Sequence, residues 1–542
     1  MNSTKGFDIV IVGAGAAGCV LANRLSADPA RRVALIEAGP SDRQFPLSLK
    51  TTLPVGNVLL LPDERYNWQH EFSGGPGVKY RKIPCPRGKL FGGCTSVNGT
   101  VYMRGHRLDY DEWAALGNTG WSFTDVLPYY TVHEDYDRPQ RAGATALHGS
   151  GGELSVQRPA ERNALAHAFV DAAAEAGHAR NDDFNGPEQD GFGIFDLNQR
   201  NGVRWSSSRA FLHPVMQRSN LTVFGDALVE RIRIEGHRAV GITKRQGSQT
   251  LKLDAASEVI VCAGTVNSPQ LLMLSGIGPA SITRQGVKLI HELPGVGENL
   301  QDHPTVSIAM ENPSAESYAL SWRTAPRVGL APLRYAFGKR GMLASNAAEA
   351  GGFIRSKPGL DRPDVQYTVM VGMKDNPRTL PRKHGYFLHM AVLRPATRGT
   401  VELASRDPAT RPVMKPNFLE HRADVETLQR ALREARRIIG MSALARLSGA
   451  ELLPGRNVDD DTALENFIRE RVATTYHPVG TCKMAPASDR LAVVDPQLRV
   501  RGIDGLRVAD ASIMPNLIGG NTSAPAMMIG ERAAHSVLEA TH

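Results

Sequence analysis

The sequence predicts an α/β protein that contains a Rossmann-like dinucleotide-binding domain. The first observation is a continuous apolar run, Ile9 to Val12, which is typical of a buried parallel strand. The second is the glycine pattern G-x-G-x-x-G that follows at once, at positions 13–18. The third is another apolar run, Val33 to Ile36, that ends in the acidic residue Glu37. Together these predict a strand, a phosphate-binding turn, a helix and a second strand.

Each part of this segment has a physical role in holding a dinucleotide. Gly13 permits the tight turn, Gly15 lets the backbone approach a pyrophosphate, and Gly18 lets the helix pack closely on the strand. The helix, predicted over Cys19 to Leu25, directs its N-terminus at the phosphates. Glu37 accepts hydrogen bonds from the ribose hydroxyls. An acidic residue there disfavours a 2′-phosphate, so the predicted ligand is FAD or NAD.

Length and composition fit a large folded protein. The chain has 542 residues, with 42% hydrophobic and 22% charged side chains and a formal net charge of +8. Its basic residues are dispersed, and the segment LREARRIIG has the spacing of a solvated helix face rather than of a nucleic-acid-binding patch. No apolar run approaches the about 20 residues of a membrane span, and the N-terminus lacks a signal-peptide layout. We expect a cytoplasmic monomer or homodimer, at most peripheral at the inner membrane, with no nucleic-acid partner.

The cysteines indicate reduced thiols. Cys19, Cys85, Cys94, Cys262 and Cys482 form no CxxC or other metal-type spacing. Their odd number and wide separation suit a cytosolic protein better than a disulfide framework.

Further segments resemble the signatures of the glucose–methanol–choline (GMC) oxidoreductases. GKLFGGCTSVNGTVYMRG, Gly88 to Gly105, resembles the first signature, and GTVNSPQLLMLSGIG, Gly264 to Gly278, resembles the second. YHPVGTCKM, at 476–484, and the segment at 505–534 resemble the C-terminal active-site and flavin-binding segments. With LPGVGENLQDH, Leu293 to His303, the resemblance spans nearly the whole chain. It is nearest to bacterial choline-dehydrogenase-like and sorbose-dehydrogenase-like members.

The resemblance implies that the cofactor is FAD and that the reaction is the oxidation of a primary alcohol to an aldehyde. Electrons would pass to dioxygen or to a quinone-type acceptor. Several members attach FAD covalently through a histidine just before the position of Asn98. Val97 stands at that position here, which implies a non-covalent cofactor. The glycines Gly92 and Gly93 allow close backbone approach to a flat ligand.

The C-terminal segment supplies the other end of the predicted cofactor site. Leu506 to Ala509 is predicted as a buried strand with Asp510 as its polar end, and a helix is predicted to start near Thr522 or Ser523. In the family this helix start faces the pyrimidine side of the flavin, where its positive end stabilises the negative charge of the reduced ring. The motifs and the resemblance together give these predicted cofactor-binding residues: Gly13, Gly15, Ala16, Ala17, Gly18, Glu37, Ala38, Gly92, Gly93, Thr95, Asn98, Gly99, Val101, Val229, Ala263, Tyr476, Asp510, Ala511, Thr522 and Ser523.

His477 has four possible roles. A metal site needs converging ligands, which the neighbouring sequence lacks, and a nucleophilic pair with Cys482 lacks an orienting partner. A structural histidine and a general base remain. Imidazole suits the removal of an alcohol proton near neutral pH. The resemblance places His477 at the family's catalytic histidine and Asn521 at its second catalytic position, where it would orient the substrate oxygen.

The flavin segments are discontinuous in the sequence. We predict an FAD-binding domain formed by residues 1–158, 197–306 and 472–542, and a substrate-binding domain formed by 159–196 and 307–471. Within the second, VQYTVMVG and YFLHMAVLRP have strand composition, and ADVETLQRALREARRIIG has one apolar helical face. The resemblance implies an antiparallel sheet over the flavin, flanked by helices, which makes the whole protein α+β. GMLASNAAEAGGFIRS resembles a stretch that lies over the active site in sorbose-dehydrogenase-like relatives.

Three rival functions use parts of the same sequence. A flavin-containing lyase of the same fold cleaves cyanohydrins without redox use of FAD. A non-enzymatic FAD-binding protein has no need for the pair His477 and Asn521. An NAD-dependent enzyme shares only the first fingerprint and has no use for the Gly88–Gly105 segment.

Overall fold

The computed structural model describes residues 6–138, 147–159, 161–373 and 382–540. The predicted domain ranges also include residues outside this part of the chain, namely 1–5, 139–146, 160, 374–381 and 541–542.

The α-helices of the described residues are α1 (Ala16–Leu25), α2 (Leu47–Thr52), α3 (Asn57–Leu60), α4 (Arg107–Ala115), α5 (Phe123–Thr131), α6 (Ala164–Glu175), α7 (Gly264–Leu274), α8 (Ala325–Gly338), α9 (Arg422–Ile439), α10 (Ser442–Ala445), α11 (Asp461–Arg471) and α12 (Ser523–Glu539). Among the described helices, none combines the length and apolar character needed to cross a bilayer.

The β-strands of the described residues are β1 (Phe7–Val12), β2 (Val33–Ile36), β3 (His70–Phe72), β4 (Ile83–Cys85), β5 (Glu134–Tyr136), β6 (Leu154–Val156), β7 (Gly191–Ile194), β8 (Gln199–Arg200), β9 (Val203–Arg204), β10 (Leu221–Phe224), β11 (Ala227–Glu235), β12 (Arg238–Gln246), β13 (Gln249–Val261), β14 (Ile277–Gly278), β15 (His291–Glu292), β16 (Pro304–Glu311), β17 (Ala350–Ile354), β18 (Val365–Met370), β19 (Gly385–Val392), β20 (Thr400–Glu402), β21 (Val413–Lys415), β22 (Glu451–Leu453), β23 (Ala473–Thr474) and β24 (Leu506–Val508).

The N-terminal strand–turn–helix–strand unit forms as predicted, with one difference at the helix start. Helix α1 begins at Ala16 rather than at Cys19, because Gly15 already serves as its N-cap with an extended backbone. Gly13 adopts φ +101°, which favours glycine, and makes the turn. A Cβ on Gly18 would lie 1.9 Å from the Gly13 carbonyl oxygen, so only glycine fits where the helix passes the turn.

The first sheet is parallel in its central part. Its strands lie in the order β10, β2, β1, β13 and β24, and every neighbouring pair is parallel. The long strand β13 belongs to two layers. Its second half pairs with β1 and β24, and its first half forms an antiparallel ladder with β12, which pairs with β11. The strand predicted over Leu506 to Ala509 ends one residue earlier than predicted, at Val508.

The second sheet is antiparallel, in the order β22, β16, β19, β18, β17 and β7, with β23 paired to β16. One face packs on helices. Val425, Leu428, Leu432 and Ala435, on the predicted apolar face of α9, are fully buried in the same cluster as Leu388 of β19. The predicted fold class, α/β with a second antiparallel sheet flanked by helices, is therefore confirmed.

The predicted division into two domains stays a prediction. Strand β16 begins at Pro304, inside the range predicted for FAD binding, and belongs to the second sheet. A four-stranded sheet, in the order β20, β21, β3 and β4, joins chain segments from both predicted domains. The two predicted units therefore share hydrogen-bonded structure.

Candidate active site

A cavity of about 420 Å³ lies at the carboxyl edge of the parallel sheet. Val12 and Ile36, the last residues of β1 and β2, line it, as do Cys262 after β13 and Asp510 after β24. The cavity is also lined by Met370, at the end of β18 in the second sheet, and by Asn346, which lies just before β17. Ligands of open α/β sheets bind at this edge, so the location is the expected one for a dinucleotide.

Nearly all of the predicted site residues meet in this cavity. His477, Asn521 and all the predicted cofactor-binding residues except Gly18 and Gly92 line it. Gly18 instead packs beneath the turn at Gly13. The Gly92 N–H donates to the Ala14 carbonyl at 2.8 Å and so joins two loops that line the cavity. Both glycines therefore shape the cavity walls without lining them.

Three helices begin at this cavity without side-chain caps. The N-cap residues of α1, α7 and α12 are Gly15, Ala263 and Thr522, and none of them makes a side-chain capping hydrogen bond. All three residues line the cavity. The first N–H groups of a helix have no partner within the helix, and they carry the positive end of its dipole. The first N–H of α7, on Gly264, already donates to Asp510 Oδ2 at 2.9 Å. Of the three helix starts, those of α1 and α12 are therefore the ones equipped to bind phosphate or an electron-rich ring.

Buried polar atoms in the cavity wall also lack partners. Ser523 Oγ, Asn57 Oδ1 and Arg87 Nε are buried and make no hydrogen bond, and all three residues line the cavity. A Cβ placed on Gly15 or Gly99 would meet no protein atom within 4 Å. Exposed backbone and unpaired polar groups along one cavity fit a long ligand with phosphates and a flat ring. The residues present therefore fit FAD.

Glu37 anchors the glycine turn. Its Oε2 accepts from the Ala14 N–H at 2.9 Å, and its Oε1 accepts from the Gly39 N–H at 3.0 Å. Burial raises the pKa of Glu37 to about 7, and the backbone N–H groups oppose that rise. Each carboxylate oxygen still has a second lone pair that can accept from a ribose hydroxyl. The predicted ribose contact stays a prediction.

His477 is held by a buried aspartate. The His477 backbone N–H donates to Asp302 Oδ1 at 2.9 Å, and Thr474 Oγ1 donates to Asp302 Oδ2. The His303 N–H also donates to Asp302 Oδ1, at 2.8 Å. Burial raises the pKa of Asp302 to about 6, and these donors oppose the rise. Asp302 thereby ties the segment after β23 to the segment before β16.

The ring proton of His477 can be placed from its neighbours. His303 Nε2 lies 3.1 Å from the Ile518 carbonyl oxygen, which can only accept, so His303 carries its proton on Nε2. Neutral His303 then accepts at Nδ1, which lies 3.1 Å from His477 Nδ1. His477 therefore carries its proton on Nδ1, shared with the Thr475 hydroxyl at 2.9 Å. This leaves the lone pair of His477 on Nε2.

The surrounding protein favours the neutral form of both rings: His303 is fully buried, and His477 is partly buried where it lines the cavity. Burial lowers the pKa of His303 to about 3. Burial lowers the pKa of His477 well below its usual value, and the neighbouring His303 ring and the Arg87 guanidinium further disfavour a positive charge on it. His477 is thus a free base at neutral pH.

Asn521 completes the pair that the sequence predicted. Its Nδ2 lies 3.1 Å from His477 Nε2, and its Oδ1 accepts from Gln366 Nε2 of β18 at 3.4 Å. Asn521 stands directly before the N-cap of α12. The histidine lone pair and an amide N–H therefore meet at one point of the cavity.

Two of the other roles considered for His477 find no support. Cys482 is fully buried, its N–H donates to the Ser512 carbonyl, and burial raises the pKa of its thiol well above the usual value. A buried neutral thiol is a poor nucleophile. The described residues contain no group of three or more histidine, cysteine, aspartate or glutamate side chains that could hold a metal ion.

Sequence reasoning missed several members of the site. Asp302 and His303 stand in the quoted segment LPGVGENLQDH, but nothing local links them to His477. Arg87 precedes the first signature, and both of its terminal nitrogens donate to the Tyr476 carbonyl at 3.0 Å. Gln366 lies on a predicted strand. The alternation of side chains along that strand is the one sequence signal that could have indicated whether Gln366 faces the cavity or the helices.

Comparisons with known proteins agree with this geometry. The GMC oxidoreductase family profiles match residues 7–305 with their N-terminal part and 395–530 with their C-terminal part. The chain is 40% identical to an alcohol dehydrogenase [acceptor] of Pseudomonas putida, over 98% of this chain and 96% of that one. It is also 40% identical to the mitochondrial choline dehydrogenase of Homo sapiens, over 98% and 90% of the two chains. The crystal structure of pyridoxine 4-oxidase from Mesorbium loti superposes with a TM-score of 0.87 at 31% identity, covering 98% of this chain and 99% of that one.

The fold, the cavity and these matches define an FAD-dependent oxidoreductase that acts on CH–OH groups, as the sequence predicted. The chain belongs to the GMC oxidoreductase family.

The glycine turn yields a paired test of the cofactor site. In Gly15→Ala the new methyl group would meet no protein atom, and φ −82° suits alanine, so the stability should change by less than about 0.5 kcal/mol. The methyl group would fill space used by the pyrophosphate, and FAD affinity should fall about tenfold or more. Thermal unfolding and FAD titration of the apoprotein measure both effects. Gly18→Ala, which drives a methyl group into the Gly13 carbonyl, should instead reduce the yield of folded protein. Unchanged FAD affinity in Gly15→Ala would contradict the assignment.

Proposed function

We propose that this protein oxidises a primary alcohol to an aldehyde with FAD bound in the cavity, His477 as the base and Asn521 as the group that orients the substrate oxygen. The observation that carries the proposal is the hydrogen-bond chain from the Ile518 carbonyl through His303 to His477, which leaves the Nε2 lone pair beside the Asn521 amide. The relatives named alcohol dehydrogenase and choline dehydrogenase support an alcohol as substrate.

His477 acts by removing the hydroxyl proton. Its pKa is lowered by burial, so Nε2 is unprotonated at neutral pH and can accept the proton as the C–H bond of the carbinol carbon breaks. The opposite ring nitrogen is held by His303 and Thr475, which keeps the imidazole from rotating. Bound FAD supplies the hydride acceptor at its N5 atom.

Asn521 orients the substrate. An amide nitrogen carries two protons, and Gln366 holds the amide oxygen on its other side. One N–H can donate to His477 Nε2 in the free enzyme and to the substrate oxygen once the alcohol is bound. The substrate hydroxyl is then fixed between the base and the amide donor, which is the arrangement that proton transfer needs.

The cavity wall supports non-covalent binding of FAD. Val97 lines the cavity and is buried, and its side chain has no nucleophilic atom to attach to the flavin. The uncapped starts of α1 and α12 stand at two different parts of the same cavity wall. We assign the start of α1 to the pyrophosphate and that of α12 to the pyrimidine side of the ring. The electron acceptor of the proposed reaction is dioxygen or a quinone.

The role of His477 is tested by anaerobic flavin reduction. His477→Ala should fold and retain FAD, and its reduction by an alcohol substrate should slow about 10²- to 10⁴-fold, the usual range for a lost general base. Stopped-flow bleaching of the oxidised flavin absorbance measures the rate. In the wild-type protein the same bleaching separates the proposal from a lyase, which would leave the flavin oxidised.

Cys482→Ser is the control for that experiment. The residue lies outside the cavity lining, so its reduction rate should stay within a few fold of the wild type. Equal damage from both substitutions would favour a nucleophilic pair. A near-normal rate in His477→Ala, or loss of the fold with normal reduction in the surviving protein, would refute the base.

The pH dependence of flavin reduction follows from the lowered pKa of His477. Because the base form is the active one, the rate should be constant near neutral pH and should fall only as the pH drops below the ordinary histidine pKa of about 6.5. His477→Gln should lose this acidic step. A rate that still rises above pH 7 in the wild type would contradict a buried, neutral histidine.

The attachment of FAD is tested by denaturation. With Val97 at the position used for covalent linkage in relatives, acid precipitation should release all the flavin into the supernatant. Yellow colour that stays with the precipitated protein after washing would show a covalent bond and overturn this part of the proposal.

A further inference from the structure

Helix α8 is apolar on two opposite sides. Its inner side carries Ala331 and Tyr335, which are buried, and the Tyr335 hydroxyl donates to the Gly202 carbonyl at 3.2 Å. Its outer side carries Leu330, Leu333 and Phe337, spaced by three and four residues and therefore aligned on one face. The inner side explains how the helix is held on the protein, whereas the outer side packs on none of the residues that the structure describes.

The outer side is strongly exposed. Phe337 is 88% exposed, Leu330 and Leu333 are more than half exposed, and Trp322, just before the helix, is 86% exposed. We call these four residues the α8 patch. Single exposed apolar residues are common, but three large ones on one helix face, with a fourth just before the helix, mark an interaction surface.

The charged residues of the chain segment that carries the patch are all basic. Residues 320–345 contain the basic residues Arg323, Arg327, Arg334, Lys339 and Arg340 and no acidic residue. Arg334 pairs with Glu161 at 2.8 Å and Arg327 lies 4.0 Å from Glu316. For the other three, the described part of the chain offers no carboxylate within ion-pairing distance. The patch is therefore an apolar strip within a positively charged border.

We propose that the α8 patch docks this protein on the surface of an anionic phospholipid bilayer. An apolar helix face with tryptophan and phenylalanine, bordered by arginine and lysine, is the composition of helices that lie in the membrane interface. The ring of Trp322 suits the headgroup level, and the basic side chains reach lipid phosphates while their aliphatic parts cover apolar surface. The helix would lie parallel to the membrane plane, with Tyr335 facing the protein.

The charge pattern favours a bilayer over a second copy of the chain. In a twofold dimer through this surface the patch of one copy would face the patch of the other, so that Arg323, Lys339 and Arg340 would lie opposite basic residues of the second copy. Like charges brought together across an interface oppose association, whereas an anionic bilayer neutralises all of them at once.

Helix α8 is close in the chain to the cavity wall, so docking would bring the cavity side of the protein near the bilayer. The chain leaves α8 and reaches Asn346, which lines the cavity and whose amide donates to the Gly99 carbonyl at 2.7 Å. The docked surface and the cavity wall are thus neighbouring parts of one chain segment. Alcohols and quinones that dissolve in the bilayer would be concentrated at this side of the protein.

Vesicle flotation of the FAD-loaded protein tests the proposal. The wild type should float with vesicles of phosphatidylcholine mixed with phosphatidylglycerol, much less with phosphatidylcholine alone, and less at high salt. Replacing the four patch residues by serine should reduce the bound fraction about tenfold or more. Phe45→Ser combined with Tyr80→Ser removes exposed aromatic rings elsewhere on the surface and should leave flotation unchanged. Flavin content and alcohol oxidation in buffer should match the wild type in all variants.

Two further measurements decide between the possible occupants. Trp322 is the strongly exposed tryptophan of the described residues, so anionic vesicles should shift the protein fluorescence to the blue, and Trp322→Phe should remove most of that shift. Sedimentation velocity without lipid should show the same species for the wild type and the patch variant. No flotation, or equal flotation of the two proteins, would overturn the proposal. A dimer that disappears in the patch variant would assign the surface to a second copy instead.

Discussion

Helix starts without side-chain caps are the feature on which the rest of this site depends. A capping side chain at Gly15 would satisfy the first N–H groups of α1 internally and would enter the cavity, and at Thr522 the hydroxyl makes no capping hydrogen bond to α12. The lack of side-chain caps is unfavourable for an isolated helix, but here it lets the backbone at these helix starts face the cavity. All three helices start at the carboxyl edge of one parallel sheet, so the positive ends of their dipoles lie at the same cavity. The cavity is therefore built from backbone geometry first and from side chains second.

The second half of the site is a buried network that controls one proton. Asp302 accepts backbone and hydroxyl donors and so fixes the two segments that carry the histidine rings. His303 then fixes the tautomer of His477, since its own proton is engaged by a carbonyl oxygen. Burial keeps both rings neutral. The helix starts line the cavity, and this network orients the His477 ring; the two meet at Asn521, directly before α12.

The sequence allowed prediction of the features that are local or that carry a family motif. The strand–turn–helix–strand unit is encoded within one short segment, and the apolar face of α9 follows a period that is visible without the structure. The start of α1 was placed too late because Gly15 caps the helix by its backbone conformation alone. Asp302 and His303 were not assigned roles, because their contact with His477 arises from the pairing of β16 with β23 far apart in the chain. Long-range pairing of this kind leaves no local pattern to read.

One strand belongs to both layers of the nucleotide-binding region. The first half of strand β13 pairs with β12, and β12 pairs with β11, which contains Val229. The second half of β13 lies in the parallel sheet and ends just before Ala263. Val229 and Ala263 both line the cavity. A continuous strand is stiff along its length, so the sheet fixes the distance between Val229 and Ala263 in the cavity wall. The part of the cavity between Val229 and Ala263 thus takes its length from one hydrogen-bonded sheet rather than from contacts between separate elements.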